Sequence, residues 1–191
     1  MGSPPPRRAD AQRNRERLLY AAEAAFNERG VSASLDDIAK VAGVGNATLY
    51  RHFPSRENLI ESVYDQRIRT LCESAGNLAA SREPGEALLT WLREVVVHIT
   101  TSRTLGAAFM TAHDGPSEVE PPQIAAWHRA ILQAAAPLLG AAQDAGDVRS
   151  DLDATELLAI TTAVARAGSP AQAHRFLDVL LDGVKPRGRP S

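Results

Sequence analysis

Residues 46–56 read Asn-Ala-Thr-Leu-Tyr-Arg-His-Phe-Pro-Ser-Arg, a run dominated by side chains that donate or accept hydrogen bonds. Leu49 and Phe53 are its only large aliphatic or Phe side chains, and they fall four residues apart, one turn of a helix. A helix anchored through those two presents Asn46, Ala47, Thr48, Tyr50, Arg51 and His52 on its other sides. The chemistry available to that set is recognition of a double helix. An Asn amide pairs bidentately with adenine, an Ala methyl meets a thymine methyl, and a Thr hydroxyl reaches a base or a phosphate.

Catalytic chemistry finds no comparable constellation. The sequence has no nucleophile motif, no phosphate-binding loop and no His-x-x-x-His metal spacing, and its five histidines are scattered. An isolated His113-Asp114 pair does not make a site, so no catalytic residue, metal or cofactor is expected. The single cysteine, Cys72, excludes an internal disulfide and fits a reducing cytoplasm. No apolar run approaches the roughly 20 residues of a membrane helix, and no apolar stretch follows the first arginines. A soluble, cytoplasmic protein without membrane contact is expected. Its net charge of −2 is divided unevenly: residues 1–69 carry eleven Lys and Arg against nine Asp and Glu, residues 70–191 ten against fourteen. The basic excess is densest at Arg7, Arg8, Arg13, Arg15 and Arg17, a weak footprint for a polyanion.

The elements that must position residues 46–56 are all helical. Leu18, Leu19, Ala22, Ala25 and Phe26 recur at spacings of three and four, predicting a helix over 10–29 that Gly30 ends. Ser34, followed by Asp36 and Asp37, predicts a capped start for a second helix running to Ala42, with Gly43 behind it. The helix at 46–53 must end at Pro54, and Ser55 caps a long fourth helix reaching about residue 77–80. Two short helices joined by a glycine-containing turn form a helix-turn-helix, whose second member enters the DNA major groove. Hairpins of this layout also occur in ordinary helical bundles.

Asp-Ile-Ala, Ala-Gly-Val, Thr-Leu-Tyr-x-His-Phe and Pro-Ser-Arg-Glu-x-Leu stand together within residues 36–59, in a stretch from 10 to 64 that resembles the DNA-binding domain of the TetR family of bacterial regulators. The resemblance implies that Tyr50, His52 and Arg56 clamp phosphates, which sets register without reading sequence. The DNA-contact set is then Ser34, Asn46, Ala47, Thr48, Tyr50, Arg51, His52 and Arg56, with the arm's Arg7, Arg8 and Arg13 within reach of a minor groove. Leu49 and Phe53 should pack on Phe26, Ile38 and Val41. Gly45 departs from the family, which usually has Ser there; a Gly N-cap costs a few tenths of a kcal/mol against Ser.

Beyond residue 83 five more helices are predicted, over 84–102, 104–113, 122–145, 153–168 and 170–183. Pro137 should kink the third of these. Trp91, His98, Phe109, Met110, His113, Trp127 and Ile131 could line a small-molecule pocket, and the same residues would serve an ordinary core. Leu157, Thr161, Val164, Phe176, Leu177, Leu180 and Leu181 could complete the monomer; the resemblance implies instead that they form a four-helix bundle with a second subunit. The whole is all-α with about nine helices: a disordered basic arm (1–9), a three-helix DNA-binding domain (10–55), a helical effector-binding and dimerisation domain (56–184) and a disordered tail (185–191). The function implied is a homodimeric repressor of operator DNA, released by a small-molecule effector. The alternative is a regulator that is constitutive or answers to a partner protein.

Overall fold

The computed structural model describes residues 6–102, 121–167 and 169–183, with side-chain detail at all of these but 6–8, 170, 174, 181 and 182. Among them are eight helices and no strand: α1 (Pro6–Arg29), α2 (Leu35–Val41), α3 (Asn46–His52), α4 (Arg56–Ser81), α5 (Pro84–Thr101), α6 (Pro122–Asp144), α7 (Ala154–Arg166) and α8 (Pro170–Gly183). The helix expected over 104–113 lies outside the described residues, as do residues 1–5 and the tail. α1 begins at Pro6, earlier than the expected Asp10, which suits a proline whose missing N–H costs nothing in a first turn.

Local signals set most boundaries. Ser34 Oγ accepts from Asp37 N–H at 3.3 Å and caps α2, and Ser55 Oγ does the same for Asn58 N–H on α4. Asp153 and Glu156 exchange side-chain-to-backbone bonds at the start of α7, and Ser169 and Gln172 do so before α8. Each arrangement satisfies N–H groups that a helix leaves without internal partners.

Packing divides the chain into two compact units, the first extending to Gln66 and the second beginning at Arg67. In the first unit α1 packs on α2 and α3, around Leu18, Ala22, Phe26, Ile38, Leu49 and Phe53. α4 adds Leu59, Ile60 and Val63 to that core. In the second unit α5 is central and packs against α6, α7 and α8. Leu88, Trp91, Leu92, Val95 and Val96 supply its buried side, and the later turns of α4 add Leu71, Ala75 and Leu78.

Candidate nucleic-acid interface

The turn before α3 is built by hydrogen bonds that only a left-handed residue permits. Gly43 has φ +68°, its N–H donates to Lys40 O at 3.1 Å, and Val44 N–H donates back to Ala39 O at 3.0 Å. This is a Schellman closure, which satisfies the last carbonyls of α2 and reverses the chain within three residues. Val44 then packs against the core, and Gly45, in extended backbone, opens α3 without a side-chain cap.

α3 is held by Leu49 and Phe53, both essentially fully buried. Their neighbours differ from expectation in one place. Val41 is 71% exposed, while Ala39 and Ala42 are buried with Ile38. At about 100° per residue, Val41 lies about 60° from Ile38 on the side away from Ala39 and Ala42, so it falls off the buried arc. The outward face carries Asn46, Ala47, Tyr50 and Arg51, all exposed, with Thr48 and His52 half-buried at its margins. Ser34 is exposed at the N-terminus of α2. Asn46 Nδ2 donates to Asp36 Oδ1 at 2.7 Å, a contact between α3 and the first turn of α2.

Two of the residues expected at phosphates are also engaged with the rest of the first unit. Arg56 directs Nη1 at the carbonyls of Val31 and Ala33, at 2.8 and 2.6 Å, so its guanidinium ties α4 to the loop after α1. That geometry makes Arg56 a structural tie through Nη1, while the residue as a whole stays half-buried. His52 keeps a buried Nε2 without a hydrogen-bond partner among the described residues. Burial, and then the neighbouring charges of Arg51 and Arg15, hold its pKa below the ordinary histidine value. Arg15 belongs to the site although its place in the sequence does not assign it there. Its guanidinium carbon sits over the Phe53 ring, 5.4 Å from the centroid. The available signal was its place three residues before Leu18 and four before Leu19, a cation on the apolar stripe of α1. From the sequence Asp36 is only a helix-start acid, because nothing local links it to Asn46.

In the second unit, Trp91 is fully buried and its Nε1 donates to Leu71 O at 2.9 Å, which makes it a satisfied core residue. His98 and Trp127 are buried and Ile131 packs partly buried against the same core. Burial, followed by the nearby Arg67 charge, lowers the His98 pKa to about 4. Arg67 also donates to Ser102 Oγ at 2.9 Å, at the end of α5. Phe109, Met110 and His113 lie outside the described residues. Of the residues expected between subunits, Leu157, Thr161 and Leu177 are fully buried within the chain's own core. Val164 and Leu180 are partly buried against that core, and the Leu181 side chain lies outside the described residues. Among the described side chains of that set Phe176 alone is well exposed, at 42%, and it is joined by Val179 at 73% on the same side of α8 and by Ile160 at 41% on α7.

No group of three or more His, Cys, Asp or Glu among the described residues could hold a metal ion, and no described helix is long and apolar enough to cross a membrane. An all-helical chain whose first unit seats an exposed polar helix behind a Schellman turn is a helix-turn-helix protein. Residues 18–63 match the model of the bacterial regulatory proteins of the tetR family, and residues 83–186 match that of the SbtR-like transcriptional regulator C-terminal domain. The HTH-type transcriptional regulator UidR of Escherichia coli strain K12 is 30% identical over 151 residues, 75% of this chain and 74% of that protein. A TetR transcriptional regulator from Streptomyces coelicolor superposes with a TM-score of 0.76 at 36% identity, covering 91% of this chain and 99% of the other. A TetR regulator from Mycobacterium vanbaalenii gives 0.76 at 34% identity, covering 95% and 100%. The chain belongs to the TetR family of DNA-binding transcriptional regulators.

Proposed function

We propose that this protein is a homodimeric repressor whose recognition helix is α3 and whose hold on operator DNA is released by a small molecule bound in the second unit. The observation that carries the DNA reading is the division of α3 into a buried anchor, Leu49 and Phe53, and an exposed face of Asn46, Ala47, Tyr50 and Arg51. Asn46, Ala47 and Thr48 read bases, while Tyr50, Arg51, His52 and Ser34 hold the backbone. Dimerisation is supported by Ile160, Phe176 and Val179, large apolar side chains left exposed on α7 and α8. A two-fold pair of such chains would set its recognition helices roughly 34 Å apart and read a palindrome.

Effector control draws on α4, which lends side chains to both hydrophobic cores. An effector that prefers one arrangement of the second core acts on the same helix that supports α3. A hundredfold loss of operator affinity requires about 2.7 kcal/mol of coupling. No catalytic role is assigned.

The test is selection from a pool of duplexes randomised over about 20 base pairs, using the purified full chain, followed by footprinting of the enriched sequence. A palindrome with half-sites one helical turn apart is expected. Failure to enrich any sequence over the starting pool would sink the reading. Compounds that raise the melting temperature are then added to the footprint, and loss of protection is the expected result.

A further inference from the structure

Asn46 is exposed at the first position of α3, and its Nδ2 donates to Asp36 Oδ1 at 2.7 Å. Asp36 is itself exposed, in the first turn of α2, and Asp37 beside it serves a different partner, Arg29, at 3.2 Å. An ionised carboxylate accepts hydrogen bonds and cannot donate them. It can therefore face only the NH₂ side of the Asn46 amide, which fixes which way round the amide lies. A free asparagine amide has no such preference, since its oxygen and nitrogen are interchangeable in shape. Adenine offers N7 as acceptor beside the N6 amine as donor, so it needs an amide presenting N–H and C=O in one fixed order. The adenine edge takes Oδ1 together with the N–H syn to it, so Asp36 must draw on the anti N–H for Asn46 to keep that pair.

We propose that Asp36 is a positioning residue for sequence discrimination, holding the Asn46 amide in the single orientation that matches an adenine edge. The inference rests on the reading that α3 enters the major groove. It carries a distinctive consequence, because the Asp36 carboxylate also brings a negative charge to a face that meets phosphates. Removing it eases repulsion for every DNA while releasing the amide that discriminates. Specific and non-specific binding should therefore move in opposite directions.

The experiment compares wild type, Asp36→Ala, Asp36→Asn, Asn46→Ala and Asp36→Ala/Asn46→Ala. Each is put through selection from the randomised duplex pool, then titrated with the enriched duplex, its single-base variants and a duplex of unrelated sequence. Asn46→Ala should lose preference at one base pair of each half-site by roughly tenfold, the scale of one bidentate contact. Asp36→Ala should lose preference at the same base pair, bind the unrelated duplex as well as or better than wild type, and add nothing to the loss in Asn46→Ala. Asp36→Asn keeps size and helix-start propensity but can donate as well as accept, so it should lose part of the preference. It serves as the test if the alanine variant folds poorly.

Unchanged preference in both Asp36 variants overturns the proposal. So does an equal weakening of specific and non-specific binding, which marks a structural role. So does a loss at a different base pair, which would mean that Asp36 reads its own base. If wild type enriches a sequence but Asn46→Ala retains every preference, the base-reading role of Asn46 is wrong and this proposal falls with it, while the regulator reading stands.

Discussion

The backbone N–H of Gly85 donates to Asp147 Oδ2 at 3.0 Å, across 62 residues of sequence, and so caps α5 from the loop that precedes α7. Glu83, the residue at the N-cap of α5, makes no such bond with its own side chain. The contact works only because position 85 lacks a Cβ: one built there would lie 2.7 Å from Oδ2 and 2.8 Å from the Cβ of Asp147. Gly85→Ala should destabilise the protein by about 1–3 kcal/mol, the usual cost of overpacking. Asp147→Ala should cost about 1 kcal/mol, the value of a helix cap. Because the second change removes the atoms that the first collides with, the double variant should lose less than the sum, which urea denaturation of all four proteins would show.

Arg56 gives a contrast with Arg51. Arg56→Ala strips the carbonyls of Val31 and Ala33 of a charged donor and should lower stability by about 2 kcal/mol. Its effect on DNA binding should leave the salt dependence unchanged. Arg51 is exposed on the outward face of α3, so Arg51→Ala should leave stability near wild type and reduce the slope of log K against log salt by about one. A reduced slope in Arg56→Ala would mean that the same guanidinium also meets a phosphate.

These residues also mark how far the sequence could be read. Caps and turns depend on neighbours within four residues, so Ser34, Gly43 and Ser55 are legible from spacing alone. The bonds of Asp36 to Asn46, Arg56 to Ala33 and Gly85 to Asp147 join residues on different elements, and no local pattern announces them. Apolar periodicity found the faces of α7 and α8 but could not sort them. Leu157, Thr161 and Leu177 serve the chain's own core, whereas Ile160, Phe176 and Val179, interleaved with them, stay exposed. Both groups have the residue types of either role, and only the position of α5 against the two helices separates them.

That exposed group yields the next expectation. Phe176→Asp or Val179→Asp places a charge on a surface that is apolar in the free chain and should leave helical content and melting of the dilute protein near wild type. In sedimentation velocity, wild type should run as a dimer and the variants as monomers at micromolar concentration. Leu177→Asp is the control, since burying a carboxylate in the core should unfold the second unit outright.

Gly45 offers a gain. It stands in extended backbone at the N-cap of α3, and a Cβ there would meet nothing within 4 Å. Gly45→Ser supplies a side-chain acceptor at an N-cap that has none and reduces the freedom of the unfolded chain. Together these should add about 0.5–1 kcal/mol of stability. A thermal melt showing no increase would mean that the serine hydroxyl does not cap α3.

His98 sets the acid side of stability. Its folded pKa of about 4 lies below the ordinary 6.5, chiefly through burial and then through the charge of Arg67. The folded state therefore binds the proton more weakly than the unfolded chain does, so stability rises with pH through this group. Its contribution is fully present above pH 6.5 and is lost as pH falls towards 4, by about 3 kcal/mol over the whole interval. Carboxylates titrate in the lower part of the same window, so the informative quantity is the difference between wild type and His98→Gln. Urea unfolding at a series of pH values should show wild type losing stability relative to the variant between pH 6.5 and 4. Parallel curves for the two proteins would mean that His98 takes up its proton without unfolding the second unit.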